Sequence, residues 1–206
     1  MPQPDWNAFY AAGELPWDTG TPDVHLVAVV EDGRVAPGRA LEVGCGTGTN
    51  TLWLATRAFD VVGVDLSPLA VEQARAKSQR AGNCRFEALD FLVAPPPGAP
   101  FDFVFDRGCF HIFDAPAQRA QFAARVASLL APGGQWLSLI GSTEGPARTS
   151  GPPRRTARDI LDAIEPSLEI VELRAVYFEA HLEAPPQAWL CRSRKRALPA
   201  QPSTSP

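Results

Sequence analysis

The chain has 206 residues, 45% of them hydrophobic and 20% charged, with 19 Lys and Arg against 23 Asp and Glu and a net charge of −4. This length fits one domain with a substantial core, and the mildly acidic balance argues against a general nucleic-acid binder. No apolar run approaches the roughly 18 residues of a membrane-spanning helix. The N-terminal residues lack the layout of a secretory signal, so we expect a cytoplasmic protein without a membrane partner.

The four cysteines, Cys45, Cys84, Cys109 and Cys191, are widely spaced. No pair has the C-x-x-C spacing of zinc sites and redox dithiols, and the three histidines form no ligand set, so we expect no metal site. An even number of cysteines leaves a disulfide open, whereas a cytoplasmic location favours reduced thiols.

Short apolar segments alternate with helical segments along the chain. The predicted elements, in chain order, are strand 39–43, helix 49–57, strand 61–64, a helix from Ser67 to about Gly82, strands 84–89 and 101–105, helix 115–130, strand 136–140, helix 156–164, and strands 168–177 and 188–194. This alternation is typical of βαβ units in a parallel sheet. We therefore predict an α/β fold with a doubly wound, mostly parallel seven-stranded sheet and an antiparallel last strand. It forms a single domain over 1–196, with a disordered tail at 197–206.

A glycine-rich turn, E-V-G-C-G-T-G at 42–48, follows the first predicted strand. In open parallel sheets, ligands bind beyond the carboxyl ends of the strands, where glycines let the backbone approach a ligand and adopt positive φ. A dinucleotide fingerprint is G-x-G-x-x-G, but Thr49 stands where its last glycine would be, and no G-K-[ST] follows. The spacing therefore argues against NAD, FAD or a phosphate-binding loop. An ordinary tight turn between strand and helix is the alternative.

Carboxylates end the next two strands. Asp65 comes 21 residues after Gly44, and a carboxylate there can accept both hydroxyl protons of a ribose. Asp90 ends the third strand between Leu89 and Phe91, which suits an adenine with apolar faces and an exocyclic amine. Each acid alone could be a helix cap or turn residue. Their placement at consecutive strand ends favours an adenosine-containing ligand.

The combination of motifs resembles the class I S-adenosylmethionine-dependent methyltransferases. The turn at 42–48, Asp65, Asp90 and the L-A-P-G-G sequence at 130–134 match that superfamily's order and spacing over roughly 35–141. The resemblance implies S-adenosyl-L-methionine as cofactor and a Rossmann-like fold.

A narrower similarity lies at the two ends of the domain. Trp6, Tyr10 and the P-W-D-T-G-T-P run at 16–22 resemble the N-terminal segment of the thiopurine methyltransferase family, in its thiol and halide methyltransferase branch. The G-P-P sequence at 151–153, before the helix from Thr156, also resembles that branch. This resemblance extends over 6–195 and implies that an N-terminal aromatic flap (about 5–22) folds over the methyl donor.

The aromatic side chains of the flap suit a sulfonium, because its positive charge is attracted to aromatic faces. The alternative is that Trp6 and Trp17 anchor an N-terminal helix to the sheet. The donor-binding residues that follow from the resemblance and the motifs are Trp6, Tyr10, Trp17, Glu42, Gly44, Cys45, Gly46, Asp65, Leu66, Asp90, Phe91 and Asp106.

Candidate acceptor-side and catalytic residues follow the fourth strand. Asp106 can face the donor's methionine part or the acceptor, and His111 can serve as a weak base, with a capping or surface histidine as the alternative. Arg107 can hold an anionic acceptor or form an ordinary ion pair. Cys109 fits a small packing residue. The polar connection at 141–155 is long enough to act as a lid.

We therefore predict a methyltransferase of small molecules that acts on a thiol or another soft nucleophile such as selenium, tellurium or halide. Thiols have a pKa of about 8.5 and therefore need little help from a general base to ionise. An O- or N-methyltransferase is the alternative and would depend on His111 or Asp106. A non-catalytic donor-binding regulator is a further alternative. We expect no nucleic-acid partner, and either a monomer or a homodimer.

Overall fold

The computed structural model describes residues 4–13, 15–79, 82–146, 153–179 and 184–196. The predicted tail at 197–206 lies outside these residues. The helices are α1 (Trp6–Ala12), α2 (Val24–Glu31), α3 (Thr49–Thr56), α4 (Pro68–Lys77), α5 (Pro116–Leu129) and α6 (Ala157–Ile164). The strands are β1 (Arg39–Val43), β2 (Asp60–Asp65), β3 (Cys84–Ala88), β4 (Phe101–Arg107), β5 (Leu130–Gly141), β6 (Leu168–Tyr177) and β7 (Gln187–Lys195).

The described strands form one sheet in the order β3-β2-β1-β4-β5-β7-β6. β1 to β5 run parallel, and β7 pairs antiparallel with β5 and β6. This confirms the predicted α/β architecture with its antiparallel last strand. The chain order reverses between β1 and β4, which is where open α/β sheets bind their ligands. Val43 of β1 pairs with Val64 on one side and Asp106 on the other, so three strand ends meet there.

The central strands β1, β2 and β4 are buried on both faces of the sheet, and their side chains alternate between the two faces. In β4, Val104 packs on the side of α5 and α6 with Phe122 and Ile160. Phe103 and Phe105 point to the opposite face, toward the buried side chains of α2 and α3. Burial of the central strands on both faces explains why they are near-continuous apolar runs in the sequence.

Two predicted boundaries differ from the structure. α4 ends at Lys77 rather than near Gly82, because the last side chain that the helix buries is Ala74 and later turns have no apolar face to pack. β5 begins at Leu130 rather than Trp136. Its pairing with β4 starts at Phe101↔Leu130 and resumes at Phe103↔Gln135, so the expected P-G-G turn lies within an irregular strand.

The helix α2 is not among the elements predicted from the sequence. The Asp23 carboxylate caps this helix by accepting from the backbone N–H groups of His25 and Leu26 at 2.9 and 3.3 Å. Its apolar residues, Leu26 and Val29 among them, pack under the sheet. Among the described helices, none has the length and apolar character needed to cross a bilayer.

Candidate active site

The glycine turn presents bare backbone at the carboxyl edge of the sheet. The N–H groups of Gly44 and Cys45 both donate to the carbonyl of Val64, at 2.8 and 3.0 Å, which fixes the turn against β2. Gly46 has a φ of +52°, and a Cβ atom there would lie 2.9 Å from the hydroxyl of Tyr10. A Cβ atom at Gly48 would overlap Phe86 of β3, so this third glycine serves packing rather than ligand approach.

Asp65 ends β2 directly beside this turn. Its Oδ2 accepts from the N–H of Gly46 and its Oδ1 from the N–H of Ser67, both at 2.9 Å. Burial raises the pKa of this carboxyl, while these backbone donors act in the opposite direction. Each carboxylate oxygen keeps a further acceptor site, which fits the hydroxyl pair of a ribose. The neighbouring Leu66 is an exposed apolar side chain at the same edge, suited to one face of a flat ring.

Asp90 follows β3 and is half-buried, and its Oδ1 accepts from the N–H of Leu92 at 2.8 Å. The ring of Phe91 turns away from this edge: it is buried in the core with its centroid 4.8 Å from that of Phe122. Contact of the Phe91 ring with an adenine stays a prediction. A large aromatic side chain gains more by packing against Phe122 than by remaining at the sheet edge.

Glu42, also predicted to bind the donor, points its carboxylate toward α3. Its Oε1 accepts from the side-chain amide of Asn50 at 3.0 Å and its Oε2 from the hydroxyl of Thr51 at 2.5 Å. Burial raises the pKa of Glu42 to about 7. Burial also raises the pKa of the Cys45 thiol. In this structure the Glu42 carboxylate ties β1 to α3 and so shapes the turn between them.

The N-terminal helix α1 lies over the site and begins at the cap residue Asp5. Asn7 accepts from the hydroxyl of Ser67 at 2.5 Å, which joins α1 to the start of α4. The Tyr10 ring is buried, and burial together with the charge of Asp65 raises its pKa. The Tyr10 hydroxyl thus faces Gly46, at the centre of the predicted donor site.

The two flap tryptophans pack on each other. Trp6 and Trp17 meet edge to face at 6.1 Å between ring centroids, and Phe9 meets Trp17 at 5.8 Å. The two tryptophans therefore pack within the N-terminal segment, and their contact with the donor stays a prediction. Tyr10 is the flap aromatic beside the glycine turn.

Asp106, predicted on both the donor and the acceptor side, is fully buried. Its Oδ1 accepts from the N–H groups of Cys109 and Phe110 at 3.1 and 2.9 Å, and its Oδ2 from the indole of Trp136 at 2.9 Å. Burial raises the pKa of Asp106 to about 6. The carboxylate holds the loop after β4 from beneath, because that loop's backbone N–H groups need an acceptor. Contact of Asp106 with the donor or the acceptor stays a prediction.

His111 lies in the short 3₁₀ turn after β4 and is buried. Its Nδ1 accepts from the N–H of Gly141 at 2.7 Å, so Nδ1 must carry a lone pair and the proton of the neutral ring is on Nε2. The ring packs edge to face with Phe178. The ring nitrogen with a lone pair thus holds the end of β5, and a role of His111 as a base stays a prediction.

Arg107 bonds protein groups through all three guanidinium nitrogens. Nε donates to the Oδ2 of Asp23 at 2.7 Å, Nη1 to the carbonyl of Trp17 at 3.1 Å and Nη2 to the carbonyl of Glu179. The guanidinium also lies 5.2 Å from the centre of the Phe178 ring. Of the two sequence-based interpretations, the structure therefore supports the ion pair. Its partner, Asp23, was missed because 84 residues separate the two.

The connection predicted as a lid lies partly outside the described residues, at 147–152. Its two ends pair with each other: Arg155 donates its backbone N–H to Gly141 at 2.7 Å, and Thr143 donates to Arg155 at 3.1 Å. The Arg155 guanidinium bonds the carbonyl of His111 and the carboxylate of Asp114. The four cysteines are present as thiols in the structure. Closure of the connection as a lid stays a prediction.

Comparison with known proteins agrees with this geometry. The sequence profile of the family described as a methyltransferase domain matches residues 40–134. A probable thiol methyltransferase 2 of Arabidopsis thaliana is 36% identical over 72% of this chain, and the match spans 65% of that protein's length. Thiocyanate methyltransferase 1 of Brassica oleracea is 30% identical over 84% of this chain and 75% of its own length. One solved structure, described by the conversion of a disulfide bond into a thioacetal group during echinomycin biosynthesis, has a TM-score of 0.79 and 27% identity, covering 92% of this chain and 90% of that one.

The sheet order, with the glycine turn after β1, defines a class I S-adenosylmethionine-dependent methyltransferase fold. The relatives agree with this assignment. The chain belongs to the class I S-adenosylmethionine-dependent methyltransferases and is similar to thiol and thiocyanate methyltransferases.

Proposed function

We propose that this protein transfers a methyl group from S-adenosyl-L-methionine to a small thiol or another soft nucleophile. The donor, when bound, supplies a methyl group on a positively charged sulfur. Asp65 would hold its ribose hydroxyls, the backbone at Gly44 and Gly46 would allow its close approach, and Leu66 would cover one face of its adenine. Asp90 would accept from the adenine amine.

The choice of a thiol as the acceptor rests on the arrangement of Asp106 and His111. The Asp106 carboxylate is buried beneath the loop after β4, and the Nδ1 of His111 accepts from Gly141. Neither group is arranged to take a proton from an acceptor. Alcohols and amines usually need such a base, whereas a thiol with a pKa of about 8.5 ionises readily in water. The names of the relatives support the same choice, because they include a thiol and a thiocyanate methyltransferase.

The protein would then contribute to catalysis by orienting the donor and the acceptor and by excluding water from the site. Holding the reacting groups in line can lower the barrier of such a displacement by roughly 7–11 kcal/mol. The flap supports this role, because Tyr10 is buried over Gly46 and α1 is joined to α4 through Asn7 and Ser67. An ordered flap over the donor would keep bulk water from the reacting carbon.

The test is incubation with methyl-labelled S-adenosylmethionine and a panel of thiols, halides, phenols and amines, with products identified by mass spectrometry. We expect labelled thioethers and little transfer to phenols or amines. Asp65→Asn should lose activity, while Asp60→Asn, at the exposed opposite end of the same strand, should retain it. Labelled phenols or amines without any labelled thiol would overturn the acceptor assignment.

A further inference from the structure

The guanidinium of Arg107 joins three separate parts of the chain at the carboxyl edge of the sheet. It holds Asp23 and the carbonyl of Trp17 from the N-terminal segment, and the carbonyl of Glu179 from beyond β6. The Asp23 side chain is fully buried, and that of Arg107 is only 12% exposed. A planar fork of donors suits three partners in different directions. We call Arg107, Asp23 and these two carbonyls the Arg107 clasp.

A short path leads from this clasp to the predicted donor site. Arg107 holds the backbone carbonyl of Trp17, and the indole of Trp17 packs edge to face on Phe9 of α1, the residue before Tyr10. The Tyr10 hydroxyl lies against Gly46, whose N–H donates to Asp65. One hydrogen bond and the packing of Trp17 on α1 therefore link the end of β4 to the aromatic ring over the donor turn.

Two further contacts hold the same segment to the donor side. The hydroxyl of Thr47 donates to Asp18 at 2.6 Å and accepts from Lys77 at 2.6 Å. The N–H of Asp23 donates to Asn50 at 2.9 Å. The stretch from 15 to 23 thus bridges the ends of β4 and β6 and the glycine turn.

We propose that Arg107 is a positioning residue that sets the strength of donor binding from the acceptor side of the sheet. It acts through Trp17, which it holds at the place where the indole keeps Tyr10 over Gly46. The inference rests on the proposed function, because it concerns the same donor site. This positioning role takes the place of the role considered from the sequence, in which Arg107 binds an anionic acceptor directly.

The first test is calorimetric titration of S-adenosylhomocysteine into the wild type, Arg107→Met and Arg107→Lys. The matched control is Arg119→Met, since Arg119 is also largely buried but bonds the carbonyls of Phe113 and Asp114 and the carboxylate of Asp159. We expect Arg107→Met to weaken binding at least about tenfold, as the loss of charge-assisted hydrogen bonds would. Arg119→Met should lower Tm without changing Kd.

The lysine variant separates positioning from simple stabilisation. A lysine ammonium can remain beside Asp23 but cannot match the three-directional fork, so Tm should stay near that of the wild type while Kd still rises. A lysine variant with wild-type Kd would overturn the proposal. If Arg107→Met does not fold, Arg107→Lys alone supplies the comparison.

The second test is a double-mutant cycle with Tyr10→Phe, which removes the hydroxyl at the end of the path. The effect of the Arg107 substitution on Kd should be smaller in the Tyr10→Phe background, because the two residues act through one contact. An equal effect in both backgrounds would overturn the proposed path. A wild type that binds no S-adenosylhomocysteine would instead refute the proposed function, which separates the two failures.

Discussion

The Nδ1 of His111 accepts a hydrogen bond from the backbone N–H of Gly141 at 2.7 Å. This contact joins the turn after β4 to the last residue of β5, where the next loop begins. Both connections border the predicted acceptor side of the sheet. It also fixes the tautomer, because a protonated Nδ1 would face the N–H of Gly141 with no lone pair. In the neutral ring the proton of His111 is therefore on Nε2, and under the proposed function the acceptor thiol would lose its proton to water.

This tautomer predicts how the rate depends on pH. For two thiols of different acidity, kcat/KM for methyl transfer should rise about tenfold per pH unit below the pKa of each thiol and level off above it. Rates measured from about pH 6 to pH 10 check this, with the thiol pKa values determined separately. A rising limb at the same pH for both thiols would show that a group of the enzyme takes the proton.

The contact between Gly46 and Tyr10 predicts a specific loss of donor binding in Gly46→Ala. The new Cβ would lie 2.9 Å from the Tyr10 hydroxyl and would displace the ring. Gly33→Ala is the matched control, because Gly33 also has positive φ but nothing lies within 4 Å of its Cβ position. Both variants should lose about 1–2 kcal/mol of stability from backbone strain.

Calorimetry with S-adenosylhomocysteine separates the two glycine variants. Only Gly46→Ala should bind this compound more weakly, while Gly33→Ala keeps the wild-type Kd. Equal Kd values in both variants would show that Tyr10 has no part in the donor site.

Burial of Glu42 predicts a pH-dependent stability difference between the wild type and Glu42→Gln. The pKa of Glu42 is raised to about 7 in the folded protein, so its contribution is present at low pH and lost as the pH rises through about 7. The glutamine keeps both hydrogen bonds, since the hydroxyl of Thr51 can accept as well as donate.

The free energy of unfolding of the wild type, relative to this variant, should therefore fall by roughly 3 kcal/mol between about pH 4 and pH 8. Urea unfolding of both proteins at a series of pH values measures the difference. A difference that stays constant over this range would show that the Glu42 carboxyl keeps its ordinary pKa.

The sheet could be predicted from the sequence because its central strands are short apolar runs that end at polar residues. The positions of the glycine turn and Asp65 could also be predicted, because the carboxyl ends of neighbouring parallel strands share one edge of the sheet. Asp65 does lie beside Gly46, at hydrogen-bond distance from its N–H.

The direction of a side chain at a strand end could not be predicted in this way. One residue of shift turns a side chain to the other face, and only the tertiary partners decide between the two. Asp106 turned inward because the loop N–H groups and Trp136 needed an acceptor, and Phe91 because Phe122 offered a packing surface. The pairing of Arg107 with Asp23 brings together residues far apart in the chain, and neither sequence position marks it.

Calorimetric titration with S-adenosylhomocysteine measures whether the carboxyl edge at Asp65 holds an adenosyl thioether. We predict saturable binding by the wild type and by Asp60→Ala, and binding weakened roughly ten- to hundredfold in Asp65→Ala, because a buried hydroxyl pair loses its acceptor. Absence of binding by the wild type, or the same Kd in Asp65→Ala, would show that this edge is not the donor site.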